Sequence, residues 1–283
     1  MMNIIVFVKQ VPDTSEVKID SKTNNLVREG VPSIINPYDE NGVEAALALR
    51  DRIGGKVTVV SMGPMQASST LEYCLAMGAD EAVLVSDRLI GGSDTLATGY
   101  TLSEVAKKIG YDLIVCGNEA IDGCTGQVGP IIAENLDIPQ FTYVREVQVE
   151  ADRVTVQREV GKNIEFYEAQ LPALVCVLKG VNQPRRLGQT DKEVKLLRVA
   201  DLDLDPAKIG NDGSPTKVVN IKMSDARAKS YVTIDDSLSA EDRIKMIING
   251  GIEKKEKIDL WRGTAEALAD RLMEHAGFNR YIV

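Results

Sequence analysis

The chain of 283 residues carries 33 lysines and arginines against 42 aspartates and glutamates, which gives a formal net charge of −9. This acidic balance argues against sequence-independent nucleic-acid binding, because that needs clustered basic side chains. With 44% hydrophobic residues and no apolar run near the roughly 18–20 residues that span a bilayer, we expect a globular protein without a transmembrane helix. Residues 1–9 lack the basic flank and cleavage site of an export signal, which predicts a cytoplasmic protein.

Strand and helix patterns alternate over the first two-thirds of the chain. The apolar run from Ile4 to Val8 is continuous, as in a central parallel strand. The predicted strands are 3–9, 56–61, 81–85 and 112–116, and the predicted helices are 40–53, 66–77, 93–109 and 130–136. Strand–helix–strand repeats with short connections predict an α/β fold, a doubly wound, mostly parallel sheet with helices on both faces.

The pattern changes after Pro139. Four further strands are predicted at 141–150, 153–160, 164–169 and 173–178, the first three as antiparallel hairpins. Periodicity is then lost until two helices near 239–249 and 261–274. We therefore predict a nucleotide-binding domain over 1–180, with the added strands at 141–178. Residues 181–283 are predicted as an extended arm that packs on a partner subunit, with a disordered linker as the alternative.

The cysteines and the single histidine argue against several catalytic chemistries. The spacing of Cys74, Cys116, Cys124 and Cys176 matches neither a zinc site nor an iron–sulfur site, so we predict no metal, and a cytosolic chain of this size does not need disulfides. His275 stands alone near the C-terminus. We interpret it as a partly exposed residue at a helix end rather than as a catalytic base.

The strongest candidate site is the glycine-rich loop after the fourth strand. Ligands bind outside the carboxyl ends of strands in an open parallel sheet, and this loop has glycines at 117, 123, 126 and 129. The helix that starts near Gln127 aims unpaired N–H groups into the loop, which attracts phosphate. Thr125 and Gln127 offer side-chain donors, and Asp122 offers an acceptor for a ribose hydroxyl or an adenine amino group. A glycine-rich connection without a ligand is the alternative.

A second loop of phosphate-binding type covers 91–98. It places the hydroxyls of Ser93, Thr95 and Thr98 on the first turn of a helix, with Ser93 or Asp94 as the N-cap. An ordinary capped Gly-Gly turn explains it equally well. Neither loop has the Gly-Lys-Ser/Thr of a Walker A motif, and neither fits Gly-x-Gly-x-x-Gly after the first strand. The residues alone thus predict an adenine-nucleotide binder and leave the fate of the nucleotide open.

Several separate motifs resemble the β subunit of electron-transfer flavoproteins: 8–14, 35–39, 62–64, 76–80 and 120–123. The resemblance extends over roughly residues 1 to 230. It implies an adenine-nucleotide alpha-hydrolase-like fold, a nucleotide at the site described above, and a larger α subunit that carries its own FAD. The sequences at 11–14, 36–39 and 91–98 are similar to those of a subgroup that binds a complete FAD and performs electron bifurcation.

In that subgroup NADH delivers two electrons to the FAD of the β subunit. One electron passes to ferredoxin or flavodoxin, and the other passes to the α-subunit FAD and on to a flavin-dependent dehydrogenase of the acyl-CoA or 2-hydroxy-acid type. Residues 183–190 lack the usual sequence motif of the loop that docks on acyl-CoA dehydrogenases. Another flavin enzyme could therefore be the dehydrogenase partner. Two alternatives stay open: a non-bifurcating β subunit that holds structural AMP, and a nucleotide-binding module of the universal-stress type.

The resemblance also implies which residues hold the cofactor, and it implies no catalytic side chain because the chemistry belongs to the flavin. Backbone at 7–9 would flank the adenine, and Thr95 and Thr98 would lie nearer the pyrophosphate and flavin. The complete predicted set is Phe7, Val8, Lys9, Asn36, Asp39, Met62, Gly91, Ser93, Thr95, Thr98, Asp122, Gly123, Cys124, Thr125, Gly126, Gln127, Val128 and Gly129.

Overall fold

The structure is a computed structural model that describes residues 2–13, 18–19, 26–27, 32–217, 239–248 and 263–274. The chain divides into two compact units, Met1–Asp225 and Ala226–Val283. Within the described ranges, no helix has the length and apolar character needed to cross a membrane.

The described part of the first unit alternates strands and helices. Its strands are β1 (Asn3–Phe7), β2 (Gln10–Pro12), β3 (Lys18–Ile19), β4 (Leu26–Val27), β5 (Ser33–Ile35), β6 (Lys56–Met62), β7 (Glu81–Val85), β8 (Leu113–Gly117), β9 (Gln140–Glu150), β10 (Arg153–Val160), β11 (Asn163–Gln170), β12 (Ala173–Val177) and β13 (Val194–Leu197). Its helices are α1 (Pro37–Ile53), α2 (Ser68–Met77), α3 (Thr95–Ile109) and α4 (Val128–Leu136). The second unit contributes α5 (Ala240–Ile248) and α6 (Ala265–Glu274).

A nine-stranded sheet organises the first unit, in the order β11-β10-β9-β12-β8-β1-β6-β7-β13. The seven adjacent strands β9-β12-β8-β1-β6-β7-β13 all run parallel to their neighbours. Strand β10 is antiparallel to both β9 and β11. The chain builds outward from β1 through β6 to β7 and then returns to the other side of β1 with β8. This order confirms the doubly wound, mostly parallel sheet and the added antiparallel strands.

Helices cover both faces of the sheet. Along β1, Ile4 and Val6 pack with α1 and α2 on one face, while Ile5 and Phe7 pack with α3 and α4 on the other. The buried side chains on both faces explain why the predicted strand is apolar without alternation. The chain adds strands first on one side of β1 and then on the other, and this change of side opens a crevice at the carboxyl ends of the central strands.

The first unit extends beyond the expected boundary at residue 180. Strand β13, which the sequence analysis did not predict, pairs in parallel with β7 at the sheet edge. Ile209 is buried among the residues packed against α3, and Arg185 forms ion pairs with Glu44 and Asp51 on α1. Residues 181–217 therefore pack on the chain's own sheet and α1. In the second unit, the bounds of α5 and α6 are close to those of the two predicted helices. His275 lies outside the described residues.

Candidate functional site

A cavity of about 800 Å³ opens at the carboxyl ends of β8, β1, β6, β7 and β13. Its lining includes most of the predicted site: Phe7, Val8, Lys9, Asn36, Asp39, Met62, Gly91, Ser93, Thr95, Thr98, Gly123, Thr125, Gly126, Gln127, Val128 and Gly129. Asp122 and Cys124 are the two predicted residues outside the lining. The two loops singled out in the sequence therefore line one concave surface, where they adjoin at Thr95 and Gln127.

The Asn36 side chain holds the glycine-rich loop in place through hydrogen bonds to its backbone. It is 1% exposed; its Nδ2 donates to the carbonyl of Glu119 at 2.9 Å, and its Oδ1 accepts from the amide of Ile121 at 3.2 Å. The Tyr38 hydroxyl donates to the Glu119 carboxylate at 3.0 Å. Both polar ends of the Asn36 amide are thus engaged with loop backbone, which fixes the loop before any ligand arrives.

Asp39 joins the ends of two central strands. Its carboxylate is buried and accepts from the amide of Lys9 after β1 at 2.7 Å and from the amide of Gly117 on β8 at 3.1 Å. Burial raises the pKa of Asp39 to about 7, although the hydrogen bonds from Lys9, Asn36 and Gly117 oppose that rise. The position of Asp39 is set by backbone donors, so its role here is to hold the floor of the cavity.

Asp122 lies outside the cavity lining. Both of its carboxylate oxygens accept from the Lys9 ammonium at 2.7 Å. Its charge is therefore paired with a residue on the loop after β1, whereas the sequence analysis expected it to accept from the ligand. Cys124, the neighbouring loop residue, is exposed with a left-handed φ of 51°, which for a non-glycine residue costs about 1 kcal/mol.

Helix α4 begins with its first-turn donors open to the cavity. Gln127 is the N-cap, and no side chain caps the helix. Val128 and Gly129 line the cavity, and their N–H groups precede the first intrahelical bond; Pro130 has no N–H to contribute. An uncapped helix start of this kind carries partial positive charge and favours an anion such as phosphate.

Helix α3 begins with two of its first-turn donors already occupied. Asp94 is the N-cap, and its Oδ1 accepts from the amides of Leu96 and Ala97, both at 3.0 Å. Partial desolvation of the Asp94 carboxyl opposes ionisation, but the bonds from Thr216, Ala97 and Leu96 prevail and lower its pKa to about 2. A carboxylate fixed at this helix start repels phosphate. The second predicted loop therefore differs from an anion-binding helix start.

Ser93, Thr95 and Thr98 of that second loop line the cavity, with Ser93 placed before the N-cap of α3. Thr95 donates to the side-chain oxygen of Gln127 at 2.8 Å, which links the two loops. Ser93 donates to the carbonyl of Ile90 at 2.8 Å. Thr98, one turn into α3, also lines the cavity. This wall presents hydroxyl and apolar groups, and Asp94 takes up two of the first backbone donors of α3.

The glycines of the first loop have different physical causes. A side chain at Gly129 would place its Cβ 2.5 Å from the Cys176 sulfur, and one at Gly117 would place it 2.2 Å from an Asp39 oxygen. Gly126 has a φ of +61°. Gly123 meets nothing within 4 Å and has no left-handed φ, yet it lines the cavity. Packing and backbone conformation explain the first three, while Gly123 leaves room for a ligand.

The far end of the cavity contains groups that the sequence analysis missed. Arg198 follows β13 and donates to the carbonyl of Ser86 at 3.0 Å, and Asp87 and Arg88 belong to the same end. At the opposite end, Asn118 accepts from the amide of Tyr143 at 2.8 Å. The arginine had no signal in the sequence because the strand that positions it was not predicted.

The thiols in the floor are reduced and structural. Cys116 and Cys176 stand opposite each other on β8 and β12, and the four cysteines are free. The hydrogen bond with Cys176 and burial raise the pKa of the Cys116 thiol, so it stays protonated and unreactive. Among the described residues, no group of three or more metal-binding side chains comes together.

Comparison with known proteins adds independent information. The family model described as electron transfer flavoprotein domain matches residues 23–202. An electron transfer flavoprotein subunit beta from Thermoanaerobacterium thermosaccharolyticum is 52% identical over 225 residues, which cover 77% of this chain and 86% of the relative. The caffeyl-CoA reductase-Etf complex subunit CarD of Acetobacterium woodii is 46% identical over the same shares. Protein FixA of Bradyrhizobium diazoefficiens is 39% identical over 91% of this chain and 94% of the relative.

Proposed function

The chain belongs to the electron transfer flavoprotein family, and from this premise we propose that it is the β subunit of an electron-bifurcating flavoprotein that holds FAD in its cavity. In this proposal NADH is the electron donor, and the acceptors are ferredoxin or flavodoxin and a flavin-dependent dehydrogenase. The α subunit is the obligate partner, and the complex works in the cytoplasm. Because the chain belongs to this family, the alternative of a nucleotide-binding module of the universal-stress type no longer has support.

The extent of the cavity is the observation that carries the choice of FAD over AMP. The lining includes the ends of five neighbouring strands from β8 to β13, and four strand spacings amount to about 19 Å. A volume of about 800 Å³ lies toward the upper end of the range for ligand pockets. AMP at the glycine-rich loop would leave the end beside Arg88 and Arg198 without a ligand, whereas a dinucleotide extends along the whole row.

The lining residues fit the two halves of such a ligand. The open N–H groups of Val128 and Gly129 are suited to phosphate oxygens, and the room beside Gly123 admits the ligand close to the backbone. Thr95 and Thr98 of α3 line the cavity next to the start of α4, which Thr95 contacts through Gln127, and the guanidinium of Arg198 lines the other end. These groups offer hydrogen bonds and positive charge to the flavin half of the ligand. FAD, when bound, supplies the electron-transfer chemistry.

The chain's own residues bind, orient and shield the cofactor. Phe7 and Val8 are buried at the floor, where they exclude water from one side of the site. Asn36 and Asp39 keep the loop and strand ends in place through the backbone bonds described above.

Partners are proposed on the strength of the relatives. One relative bears the name of a subunit of a caffeyl-CoA reductase-Etf complex, which supports an assembly of this chain with an α subunit and a flavin-dependent enzyme. Several motifs of the chain are similar to the bifurcating subgroup, and this similarity supports NADH and ferredoxin or flavodoxin as the other partners. The second unit, with α5 and α6, is proposed to pack on the partner subunit.

Flavin counting in the purified heterodimer tests the proposal. The chain is expressed with its α subunit, and FAD and AMP are quantified after denaturation. We expect two FAD and no AMP per heterodimer, and reduction of the flavin by NADH in the visible spectrum. One FAD together with one AMP, unchanged by added FAD, would show that the chain is a β subunit of the simpler, AMP-holding kind.

A further inference from the structure

Residues 209–216, called the strap here, lie against the loop that forms the far wall of the cavity. The amide of Asn211 donates to the carbonyl of Gly91 at 3.1 Å. The amide of Gly210 donates to the Ser93 hydroxyl at 3.1 Å. These contacts connect residues more than a hundred positions apart in the chain, so the strap holds a wall to which it is remote in sequence.

Ser214 is the centre of this contact. It is 2% exposed; its hydroxyl accepts from the amide of Asp94 at 2.8 Å and donates to the carbonyl of Gly210 at 2.6 Å. Gly210 has a φ of +63°, and a Cβ at that position would lie 2.0 Å from the carbonyl oxygen of Leu89. The strap therefore fits the wall closely, with its polar groups satisfied.

The carboxylate of Asp94 ties the strap to helix α3. One oxygen caps the first turn of α3, as described above. The other accepts from the amide of Thr216 at 3.0 Å and from the Thr216 hydroxyl. The start of α3, with Thr95 and Thr98 on its cavity side, is thus fixed by the strap rather than by a phosphate.

The opposite wall has a different support. The glycine-rich loop is held by Asn36 and Tyr38 through the contacts to Glu119 and Ile121. None of these bonds involves the strap. The two walls are therefore braced by separate parts of the chain, and they meet at the hydrogen bond from Thr95 to Gln127.

We propose that the strap is a specificity-determining element, which preforms the far wall so that the cavity retains a dinucleotide rather than a mononucleotide. Ser214 and Thr216 act as positioning residues through Asp94. This inference rests on the proposed function, because it concerns the half of the ligand that AMP lacks. The start of α4 makes none of the strap's bonds and meets the strap's wall at the hydrogen bond from Thr95 to Gln127; we expect it to serve AMP and FAD alike.

Affinities of the cavity for AMP and FAD, measured on the heterodimer with the α subunit after removal of the nucleotide from this cavity, test the inference. The variants are Ser214→Ala and the milder, exposed Thr216→Val. The matched control is Ser103→Ala, a buried serine of α3 that donates to the carbonyl of Tyr100 at 2.7 Å and lies outside the cavity lining. Hydrogen exchange at the amides of Asp94 and Asn211 reports whether the wall has loosened.

Loss of the Ser214 hydroxyl is expected to weaken FAD binding about tenfold and to leave AMP binding within about twofold. Thr216→Val is expected to weaken FAD binding about threefold, with faster exchange at Asp94, and Ser103→Ala to change neither affinity. Should Ser214→Ala fail to fold, Thr216→Val gives the answer. Equal losses for AMP and FAD, or no loss of FAD affinity, would overturn the inference alone. A wild-type chain that binds AMP but not FAD would overturn both the inference and the proposed function.

Discussion

The starts of helices α3 and α4 lie at the same edge of the sheet, on the same face, and both line the cavity, yet they are opposites electrically. At α3 the Asp94 carboxylate occupies the amides of Leu96 and Ala97, whereas α4 has no side-chain cap. The backbone dipole is the same in both helices, so the difference comes from one side chain. A helix start after a glycine-rich loop thus attracts an anion only when the chain does not supply its own.

The same comparison separates the halves of the candidate ligand. The open start of α4 suits the phosphates, and the closed start of α3 offers hydroxyls to an uncharged ring. Each wall also has its own brace, Asn36 for the glycine-rich loop and Ser214 for the far wall. Substitutions at either start therefore test distinct parts of the account.

Gly129→Ala should have the largest effect, because it disrupts the open helix start directly. The new Cβ would meet the Cys176 sulfur at 2.5 Å, and overpacking of this kind lowers the free energy of unfolding by about 1–3 kcal/mol. Nucleotide affinity should fall as α4 shifts. Denaturant unfolding and nucleotide titration measure both effects. The double variant with Cys176→Ala removes the clashing sulfur and should recover most of the loss; no recovery would mean that another contact requires this glycine.

Asp94→Ala tests the closed helix start. Loss of the cap should lower the free energy of unfolding by about 1–2 kcal/mol. Since the folded-state pKa of about 2 lies below the unfolded value near 3.9, the stabilisation by ionised Asp94 is present above pH 4 and is lost as pH falls toward 2. The stability difference between wild type and variant should shrink over that window in unfolding measurements.

The control for this substitution is Asp205→Ala. Asp205 also caps a short helical turn, by accepting from the amide of Ala207 at 3.0 Å, but it lies outside the cavity lining. We expect the control to leave nucleotide affinity unchanged. If the free energies of unfolding of wild type and Asp94→Ala differ by the same amount from pH 5 to pH 2, the Asp94 cap is not stabilised by its ionisation.

Gly123→Ala should reduce nucleotide affinity by about fivefold without loss of stability. Its Cβ meets no protein atom within 4 Å, so only a bound ligand would feel it. The matched control is Gly188→Ala in an exposed loop away from the cavity, where the nearest atom is at 3.7 Å. Calorimetric titration with FAD and a thermal melt distinguish the two variants. Equal affinities would mean that the ligand does not approach the loop at this point.

Asp122→Asn should have the smallest effect. The ion pair with Lys9 is half exposed, and pairs of this kind contribute below about 1 kcal/mol. Nucleotide affinity should change by less than about twofold, because Asp122 lies outside the cavity lining and its carboxylate is paired with Lys9. Glu104→Gln, which breaks a surface pair with Lys107, serves as the control. A much larger loss of affinity for Asp122→Asn than for the control would restore Asp122 as a ligand contact.

Sequence reasoning predicted the parts of the fold that depend on local patterns. The apolar run of β1 and the hairpin breaks around β10 are encoded by neighbouring residues. Strand β13 was missed because it has four residues, of which Lys195 and Leu196 are exposed. A short edge strand of this kind has little apolar periodicity to detect, although it brings Arg198 to the cavity.

The site was predictable in outline but not in its contacts. The glycine-rich loop and the Asp94 cap follow from residue types at a helix start. The pairing of Asp122 with Lys9, 113 residues away, and the contact of Gly129 with Cys176 depend on which strands become neighbours. The same holds for Ser214, whose role depends on the return of the chain to the start of α3.

A crystal structure of the full-length chain with its nucleotide tests the central claim most directly. The account predicts FAD along the row of strand ends, with phosphate oxygens within hydrogen-bond distance of the Val128 and Gly129 amides and the ring toward Thr95 and Arg198. Phosphate at the start of α3, or AMP alone beside the glycine-rich loop with the far end filled by protein, would contradict it.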